Sequence, residues 1–298
     1  MIEFEGIDQL QEKLSEAGYI SDSAINMSLF LSHKMERPLL IEGPPGVGKT
    51  EIAKVLSRIH STNLIRLQCY EGLSADQAIY EWNYQKQLIS LKMMEVENMT
   101  LDEKESIIYQ DDYLLKRPLL DSISQSIPPV LLIDEVDRSD EEFESYLLEI
   151  LSDWQISIPE IGTVKAKSKP IVIITSNRQR ELSDALRRRC FYIWIDYPDF
   201  DKEIKIVRKK VPEIDTQLGE QICRFMQEVR LLKIEKVPGI AETLDWAQSL
   251  ATLHIDHLTP EIVQSTLGIV LKDWKDIRNT SLSLSELLEK TGVIQKIK

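Results

Sequence analysis

The sequence predicts an α/β protein: a mostly parallel five-stranded sheet between two layers of helices, followed by an all-helical C-terminal domain. Two observations predict this fold. Short runs of consecutive apolar residues alternate with amphipathic helical stretches, and strands that are apolar on both faces are typical of a buried parallel sheet. After residue 198 the strand pattern stops, and only helical periodicity continues. The predicted domains are therefore 1–198 and 199–298, the second being the helical lid.

Each element of the first domain has its own signal. Apolar residues at helical spacing predict two helices within residues 5–35, and further helices from residue 48 and over residues 140–153. An insert at about 71–125 contains further helical stretches, and alternation around a turn predicts a hairpin at about 155–166. The five strands are predicted at 38–41, 64–69, 129–134, 170–175 and 191–195.

Composition limits the functions available to the chain. Its 36 basic and 49 acidic residues give a net charge of −13, which argues against an extended surface for non-specific nucleic-acid binding. No apolar run approaches the roughly 20 residues that a membrane span needs. The acidic N-terminus lacks a secretory pattern, and the scattered Cys69, Cys190 and Cys223 predict free buried thiols. We therefore expect a cytoplasmic protein.

Residues 43–50 match the pattern G-x-x-x-x-G-K-[ST] between a predicted strand and a predicted helix. Glycines let the backbone N–H groups approach phosphates at a helix N-terminus. Lys49 is placed to neutralise the β- and γ-phosphates, and the Thr50 hydroxyl to bind Mg²⁺. The sequence therefore predicts an ATP and Mg²⁺ site made by Gly43, Pro44, Pro45, Gly46, Val47, Gly48, Lys49, Thr50 and the adjoining Glu51.

Polar side chains close two of the buried strands downstream. Asp134 ends the third strand, where it can reach Mg²⁺, and Glu135 can act as the general base on the attacking water. Asn177 follows the fourth strand. It either hydrogen-bonds the attacking water or the γ-phosphate, or it only forms a turn.

Three consecutive arginines, Arg187, Arg188 and Arg189, precede the fifth strand. Cations at a helix C-terminus are favoured by the helix dipole alone, which is one interpretation. The other is an arginine finger that enters the site of a neighbouring subunit and stabilises the transition state.

These four motifs, in this order, resemble those of the AAA+ ATPases. Longer strings at 131–138, 148–153, 158–160 and 185–189 look like the MoxR family, and those at 67–72, 80–84 and 241–247 look like its CoxD-type branch. The resemblance implies a hexameric ring with nucleotide between subunits. It further implies a chaperone-like maturation factor, with a von Willebrand A-domain partner protein and a metalloenzyme client of the molybdenum hydroxylase type.

The resemblance also implies roles for single residues. Asn177 becomes the first sensor, Arg189 the first choice for the arginine finger and Arg188 the second. Related lids donate a second-sensor arginine after a proline-containing turn, but residues 237–243 contain none, and Glu242 cannot replace it electrostatically. The insert and the hairpin correspond to elements that face the central channel or the client in such rings.

Two other functions stay open. One is a nucleotide-gated oligomeric scaffold with slow hydrolysis, which the missing second-sensor arginine motivates. The other is a DNA-linked motor subunit, because restriction GTPases share the string at 186–189. The net charge of −13 weighs against the second of these functions.

Overall fold

A computed structural model describes residues 2–96 and 99–293. Its internal contacts divide the chain into two compact units. The first contains Met1–Gln11, Ser23–Glu42 and Ile52–Ile193, and the second contains Glu12–Asp22, Gly43–Glu51 and Trp194–Lys298. The predicted domain bounds of 1–198 and 199–298 stay a prediction.

The first unit is built on a five-stranded sheet with the order β2-β5-β8-β1-β9, and the α/β fold class is confirmed. The pairs β2–β5, β5–β8 and β1–β8 are parallel. Each of the five predicted strands is present in this sheet. In chain order the strands of the protein are β1 Leu39–Glu42, β2 Leu64–Gln68, β3 Tyr80–Trp82, β4 Leu114–Lys116, β5 Val130–Asp134, β6 Gln155–Ile158, β7 Gly162–Lys165, β8 Ile171–Ser176 and β9 Phe191–Trp194.

The parallel register brings the carboxyl ends of four strands to one edge of the sheet. Gln68 of β2 lies opposite Asp134 of β5, and Glu42 of β1 lies opposite Ser176 of β8. Every residue of β1, β5 and β8 is buried, as their uninterrupted Val, Leu and Ile runs predict. Polar residues in this part of the first unit are therefore concentrated where the strands end.

Helices cover the sheet and make up the rest of both units. Several begin at a side-chain cap: Asp140 accepts the Phe143 N–H at 2.8 Å, which starts α8. Among the described residues, no helix combines the length and apolar character that crossing a bilayer requires. The helices are α1 Ile7–Glu16, α2 Ser23–Lys34, α3 Lys49–His60, α4 Ala75–Ala78, α5 Tyr84–Met93, α6 Leu101–Ile108, α7 Pro118–Ser124, α8 Glu141–Asp153, α9 Asp184–Arg189, α10 Phe200–Lys210, α11 Thr216–Arg230, α12 Ile240–Thr252, α13 Pro260–Val270, α14 Trp274–Leu282 and α15 Leu284–Lys290.

The insert is less purely helical than its sequence predicts. It contains α4 to α7, but β3 and β4 also pair antiparallel, with Trp82 opposite Leu114. Each of these strands has only three residues, too few for an alternating pattern to appear. The expected hairpin is present, since β6 and β7 pair antiparallel with Ile156 opposite Val164.

The C-terminal part of the second unit consists of α10 to α15 around an apolar core that includes Trp246 and Phe225. One ion pair is buried within it. Arg230 donates to both carboxylate oxygens of Glu203 at 2.7 Å, and Thr243 donates to the same carboxylate at 2.6 Å. Buried charges need such complete pairing, because each alone carries a large desolvation cost.

The three cysteines are free and buried, as the sequence predicts. Burial is the main reason that the pKa of Cys69 and of Cys190 is raised to about 12. The thiols are therefore protonated at neutral pH, which makes them poor nucleophiles.

Two histidines stack beside the N-terminal segment of the first unit. The His33 and His60 rings lie 5.1 Å apart, Phe4 packs edge-on against both, and the Ile2 N–H donates to His60 Nδ1 at 3.3 Å. Burial, with a smaller effect of His33, lowers the pKa of His60 to about 4. The His60 ring is therefore neutral at pH 7.

This pair gives the fold a defined pH dependence. Between pH 6.5 and 4, His60 is protonated in the unfolded chain but stays neutral in the folded one. The free energy of unfolding therefore falls as the pH drops from 6.5 towards 4. We expect the decrease in the free energy of unfolding over this pH range to be about 2 kcal/mol smaller in His60→Phe than in the wild type. Urea unfolding at several pH values measures it. The control is His257→Gln at an exposed position, and an unchanged slope in His60→Phe would contradict the prediction.

Candidate functional site

The loop at residues 43–50 joins β1 to α3 and belongs to the second unit. The Lys49 side chain is buried, and its ammonium donates to the carbonyls of Gly43 and Pro44 at 2.7 Å each. Lys49 and Thr50 are the first residues of α3, where free N–H groups and the helix dipole favour an anion. The loop therefore has the backbone and the cation of a phosphate site, and Glu51, in the same helical turn, pairs with Lys210 at 3.1 Å.

Two glycines of the loop are required by close approach. A Cβ on Gly43 would lie 2.0 Å from the carbonyl oxygen of Ile195. Gly46 has a φ of +75°, and a Cβ there would lie 3.2 Å from the Cα of Gly239. Side chains at these positions would distort the loop. The motif requires the glycine at 43, whereas position 46 is one of its variable positions.

The turn before α12 contacts the loop through its backbone. The N–H groups of Ile240 and Ala241 donate to the Gly46 carbonyl at 2.9 and 3.3 Å, and Glu242 accepts the Gly239 N–H at 2.8 Å. No arginine comes from this turn. Instead, Arg230 of α11 contacts this turn by donating to the Pro238 carbonyl at 2.9 Å.

A cavity of about 400 Å³ lies beside the loop within the second unit. This volume is within the usual range of ligand pockets. Its lining mixes apolar and charged side chains, and includes Pro45, Gly46, Tyr197, Val237, Pro238 and Glu242. The second unit therefore offers room for a ligand next to the phosphate loop.

The acidic pair lies at the carboxyl end of β5 in the first unit. Asp134 is buried, and its Oδ1 accepts the Thr175 hydroxyl at 2.5 Å. The Arg66 guanidinium donates to Asp134 Oδ2 at 2.5 and 3.1 Å. Residues of the neighbouring strands β2 and β8 thus orient the Asp134 carboxylate.

Glu135 is held in a strained backbone conformation, with a φ of +55°. Its carboxylate accepts from Gln68 Nε2 at 3.1 Å and from Arg138 at 2.9 Å, both on Oε2. Its other oxygen accepts from Asn177 Nδ2 at 3.3 Å. The structure therefore brings together Glu135 and Asn177, as their predicted shared role on the attacking water requires.

The backbone after β8 is fixed by a second carboxylate. Asp137 is buried, and its Oδ2 accepts the N–H groups of Asn177 at 3.1 Å and Gln179 at 2.8 Å. This contact holds the Asn177 backbone in place while its side chain turns to Glu135. Asp137 is therefore a structural residue of this edge.

The three arginines differ in their surroundings. Arg187 pairs with the buried Glu42 at 3.3 Å. Arg189 donates to the Ser152 hydroxyl and, at 2.9 Å, to the Ala185 carbonyl. Arg188 is exposed, and its guanidinium makes no hydrogen bond or ion pair with the residues that the structure describes. The first choice from the sequence, Arg189, is thus tied within its own chain, whereas Arg188 points to solvent.

The residues fit Mg²⁺ by the chemistry of their donors. The buried Asp134 carboxylate and the Thr50 hydroxyl supply the hard oxygen ligands that Mg²⁺ prefers. The chemistry of such an ion would be to neutralise the charge on phosphate oxygens.

Sequence reasoning missed four residues of the acidic edge: Arg66, Gln68, Arg138 and Thr175. Gln68 and Thr175 are at or next to the ends of β2 and β8, so their position was a usable signal. Arg66 had no such signal, because its contact with Asp134 depends on β2 lying next to β5.

The fold, the phosphate loop and the acidic edge together define a P-loop ATPase domain. The model of the AAA domain family, dynein-related subfamily, matches residues 38–190, just over half of the 298-residue chain. The chain belongs to this family of ATPases.

Curated relatives are distant. The gas vesicle ATPase GvpN of Haloferax mediterranei is 27% identical over 206 residues, which cover 65% of this chain but only 56% of GvpN. An uncharacterised protein of Staphylococcus aureus is 23% identical over 248 residues, covering 79% of this chain and 86% of that protein. Among solved structures, a RuvB variant of Thermotoga maritima is 17% identical with a TM-score of 0.49, covering 98% of this chain and 84% of RuvB.

Proposed function

We propose that the protein hydrolyses ATP with Mg²⁺ and uses this reaction to remodel a partner protein. The observation that carries the hydrolytic part is the acidic edge, where Asp134, Glu135 and Asn177 converge at the ends of adjacent parallel strands. The phosphate loop begins at Gly43, the residue that directly follows β1 in the chain. The name of GvpN, a gas vesicle ATPase, supports ATP as the nucleotide.

Within this proposal each residue has one task. Lys49 and the loop N–H groups bind the β- and γ-phosphates, and Thr50 and Asp134 hold the metal. Glu135 accepts a proton from the attacking water, which Asn177 helps to orient. The arrangement converts the bound nucleotide into products by positioning and charge compensation, with no covalent intermediate on the protein.

We further propose a ring of subunits, hexameric as the MoxR resemblance implies, in which Arg188 or Arg189 completes the next subunit's site. Support comes from the arginine string at the end of α9, whose exposed Arg188 is available to a neighbour. An arginine supplied from a second subunit would stabilise charge that develops only in the transition state.

The cellular role that we propose is that of a MoxR-type, CoxD-branch maturation factor in the cytoplasm, where free thiols are stable. It would act with a von Willebrand A-domain partner on a metalloenzyme client of the molybdenum hydroxylase type. The strings at 67–72, 80–84 and 241–247 support this branch. A slow nucleotide-gated scaffold is the second candidate, favoured by the absence of arginine from the turn that contacts Gly46.

One experiment separates these functions. ATP turnover by the full chain is measured over a range of protein concentrations, with and without Mg²⁺ and a purified von Willebrand A-domain protein, alongside Lys49→Ala. We expect turnover per subunit to rise with concentration and with the partner, and to fall at least about 100-fold without Mg²⁺ or in the variant.

The other outcomes are equally informative. Turnover that stays slow at every concentration until the partner is bound would support the gated scaffold. Stimulation by DNA that disappears with added salt would support the motor subunit. Turnover that is the same in Lys49→Ala as in the wild type would contradict the ATPase proposal itself.

A further inference from the structure

A buried glutamate, Glu42, directly precedes the phosphate loop in the chain, and its side chain contacts the arginine string through Arg187. Glu42 is the last residue of β1, directly before Gly43, and only 1% of it is exposed. A carboxylate at such a position is costly unless cations and hydrogen-bond donors compensate it. The site described above assigns no chemical task to Glu42.

Its partners come from two neighbouring strands and one helix. Tyr192 of β9 donates to Glu42 Oε2 at 3.1 Å, and Arg187 of α9 lies 3.3 Å from the same oxygen. The hydroxyl of Ser176, the last residue of β8, donates to Oε1 at 3.4 Å. Arg178, two residues after that strand, has its Nε 3.7 Å from Oε2. Ser176 and Arg178 are the residues on either side of Asn177.

The last turn of α9 is also fastened at the start of β1. Arg37 donates to the carbonyl of Arg188 at 2.8 Å and to that of Arg189 at 3.4 Å, and its guanidinium stacks on Phe191. The arginine string is therefore held at two places: its backbone carbonyls bind Arg37, just before β1, and the Arg187 side chain binds Glu42, the last residue of β1. Between these attachments, Arg188 is the arginine that remains exposed.

We propose that Glu42 is a positioning residue for the arginine that each subunit presents to its neighbour. Through Arg187 it fixes the end of α9, and through its place in the chain it ties that helix to the start of the subunit's own phosphate loop. A change at this loop would therefore alter how Arg188 is presented to the next site. This inference rests on the proposed ring-forming ATPase.

Mixed rings test it, because they separate a defect in a subunit's own site from a defect passed to its neighbour. Wild-type chain is mixed with an excess of Glu135→Gln chain, which we expect to bind ATP, to lose hydrolysis and still to present Arg188. A second mixture uses Glu135→Gln/Glu42→Gln chain. A third uses Glu135→Gln/Arg188→Ala chain as the benchmark for a lost finger.

At about a threefold excess of variant chain, only about a quarter of the wild-type subunits receive their arginine from another wild-type subunit. We expect turnover per wild-type subunit in the second mixture to be about one quarter of that in the first, close to the benchmark. Equal turnover in the first and second mixtures would overturn the inference.

Controls keep the test decisive. Glu81→Gln in the same background removes a carboxylate from a partly exposed ion pair with Arg117 and should leave turnover unchanged. Affinity for a fluorescent ATP analogue should be the same with and without Glu42→Gln. If Glu42→Gln lowers affinity for the ATP analogue but leaves the turnover of neighbouring wild-type subunits normal, Glu42 acts only on the phosphate loop of its own subunit. That result would also overturn the inference.

Arg187→Gln is the second variant, to be used if Glu42→Gln does not fold. In this variant Tyr192 and Arg178 remain beside the Glu42 carboxylate to compensate its charge, and it should give the same one-quarter turnover. If Arg188→Ala lowers turnover in the third mixture but neither Glu42→Gln nor Arg187→Gln does so, the inference is contradicted and the proposed function is not. Wild-type turnover that is absent or independent of concentration contradicts the proposed function, and the inference with it.

Discussion

Replacing Glu135 with Gln is expected to lower ATP turnover by at least about 100-fold and to leave ATP affinity within about twofold. The amide cannot accept the proton of the attacking water, so the general base is lost. The phosphate loop is unaffected, because its contacts with phosphate do not involve this side chain. The substitution therefore separates binding from the chemical step.

The surroundings of Glu135 make the change conservative for the fold. Gln68 and Arg138 donate to one carboxylate oxygen, and Asn177 donates to the other. A glutamine can keep one of these oxygens as an acceptor, while its NH₂ group faces the remaining donor. Some loss of stability is expected from this mismatch, on the order of 1 kcal/mol.

The measurement combines steady-state turnover with equilibrium binding of a fluorescent ATP analogue. Glu142→Gln is the matched control, because it removes the same charge from an exposed position in the first turn of α8. We expect this control to hydrolyse ATP like the wild type. Unchanged turnover in Glu135→Gln would show that another group activates the water.

The sheet and the phosphate loop could be predicted because their signals are local. A run of apolar residues predicts each buried strand, and the spacing of Gly43, Gly48 and Lys49 is contained within one loop. Asp134 and Glu135 were found for the same reason, as the residues that close such a run. None of these predictions needs the order of the strands.

The contacts that orient the acidic pair depend on that order. Arg66 and Gln68 reach Asp134 and Glu135 because β2 lies beside β5. The partners in these two contacts are 68 and 67 positions apart in the sequence. The same holds for Glu42 and Arg187, which meet through the position of β1 in the sheet. Pairing of this kind leaves no pattern in a single sequence.

The attachment of the turn before α12 to the phosphate loop was unpredictable for a different reason. It uses backbone N–H groups and the absence of side chains at Gly46 and Gly239. A search for a second-sensor arginine finds nothing there, yet the turn still contacts the loop. Arg230 supports that turn from a helix that the motif does not include.

Replacing Arg188 with Ala is expected to reduce turnover of the assembled protein by about 1,000-fold, the lower end of what an arginine finger contributes. Arg189→Ala is expected to cost far less, about tenfold at most, because its guanidinium already binds Ser152 and Ala185. This order reverses the preference that the sequence alone suggested. The structural reason is that a residue must be exposed to reach another subunit's nucleotide.

The two variants are compared at protein concentrations where turnover per subunit of the wild type has reached its plateau. Nucleotide affinity should stay unchanged in Arg188→Ala, since a finger acts on charge that develops in the transition state. If Arg189→Ala loses more turnover than Arg188→Ala, Arg189 is the arginine finger. Its contact with Ser152 would then have to break on assembly. Equal, small losses in both would instead leave the arginines as helix-terminal cations, with the ring acting as a scaffold.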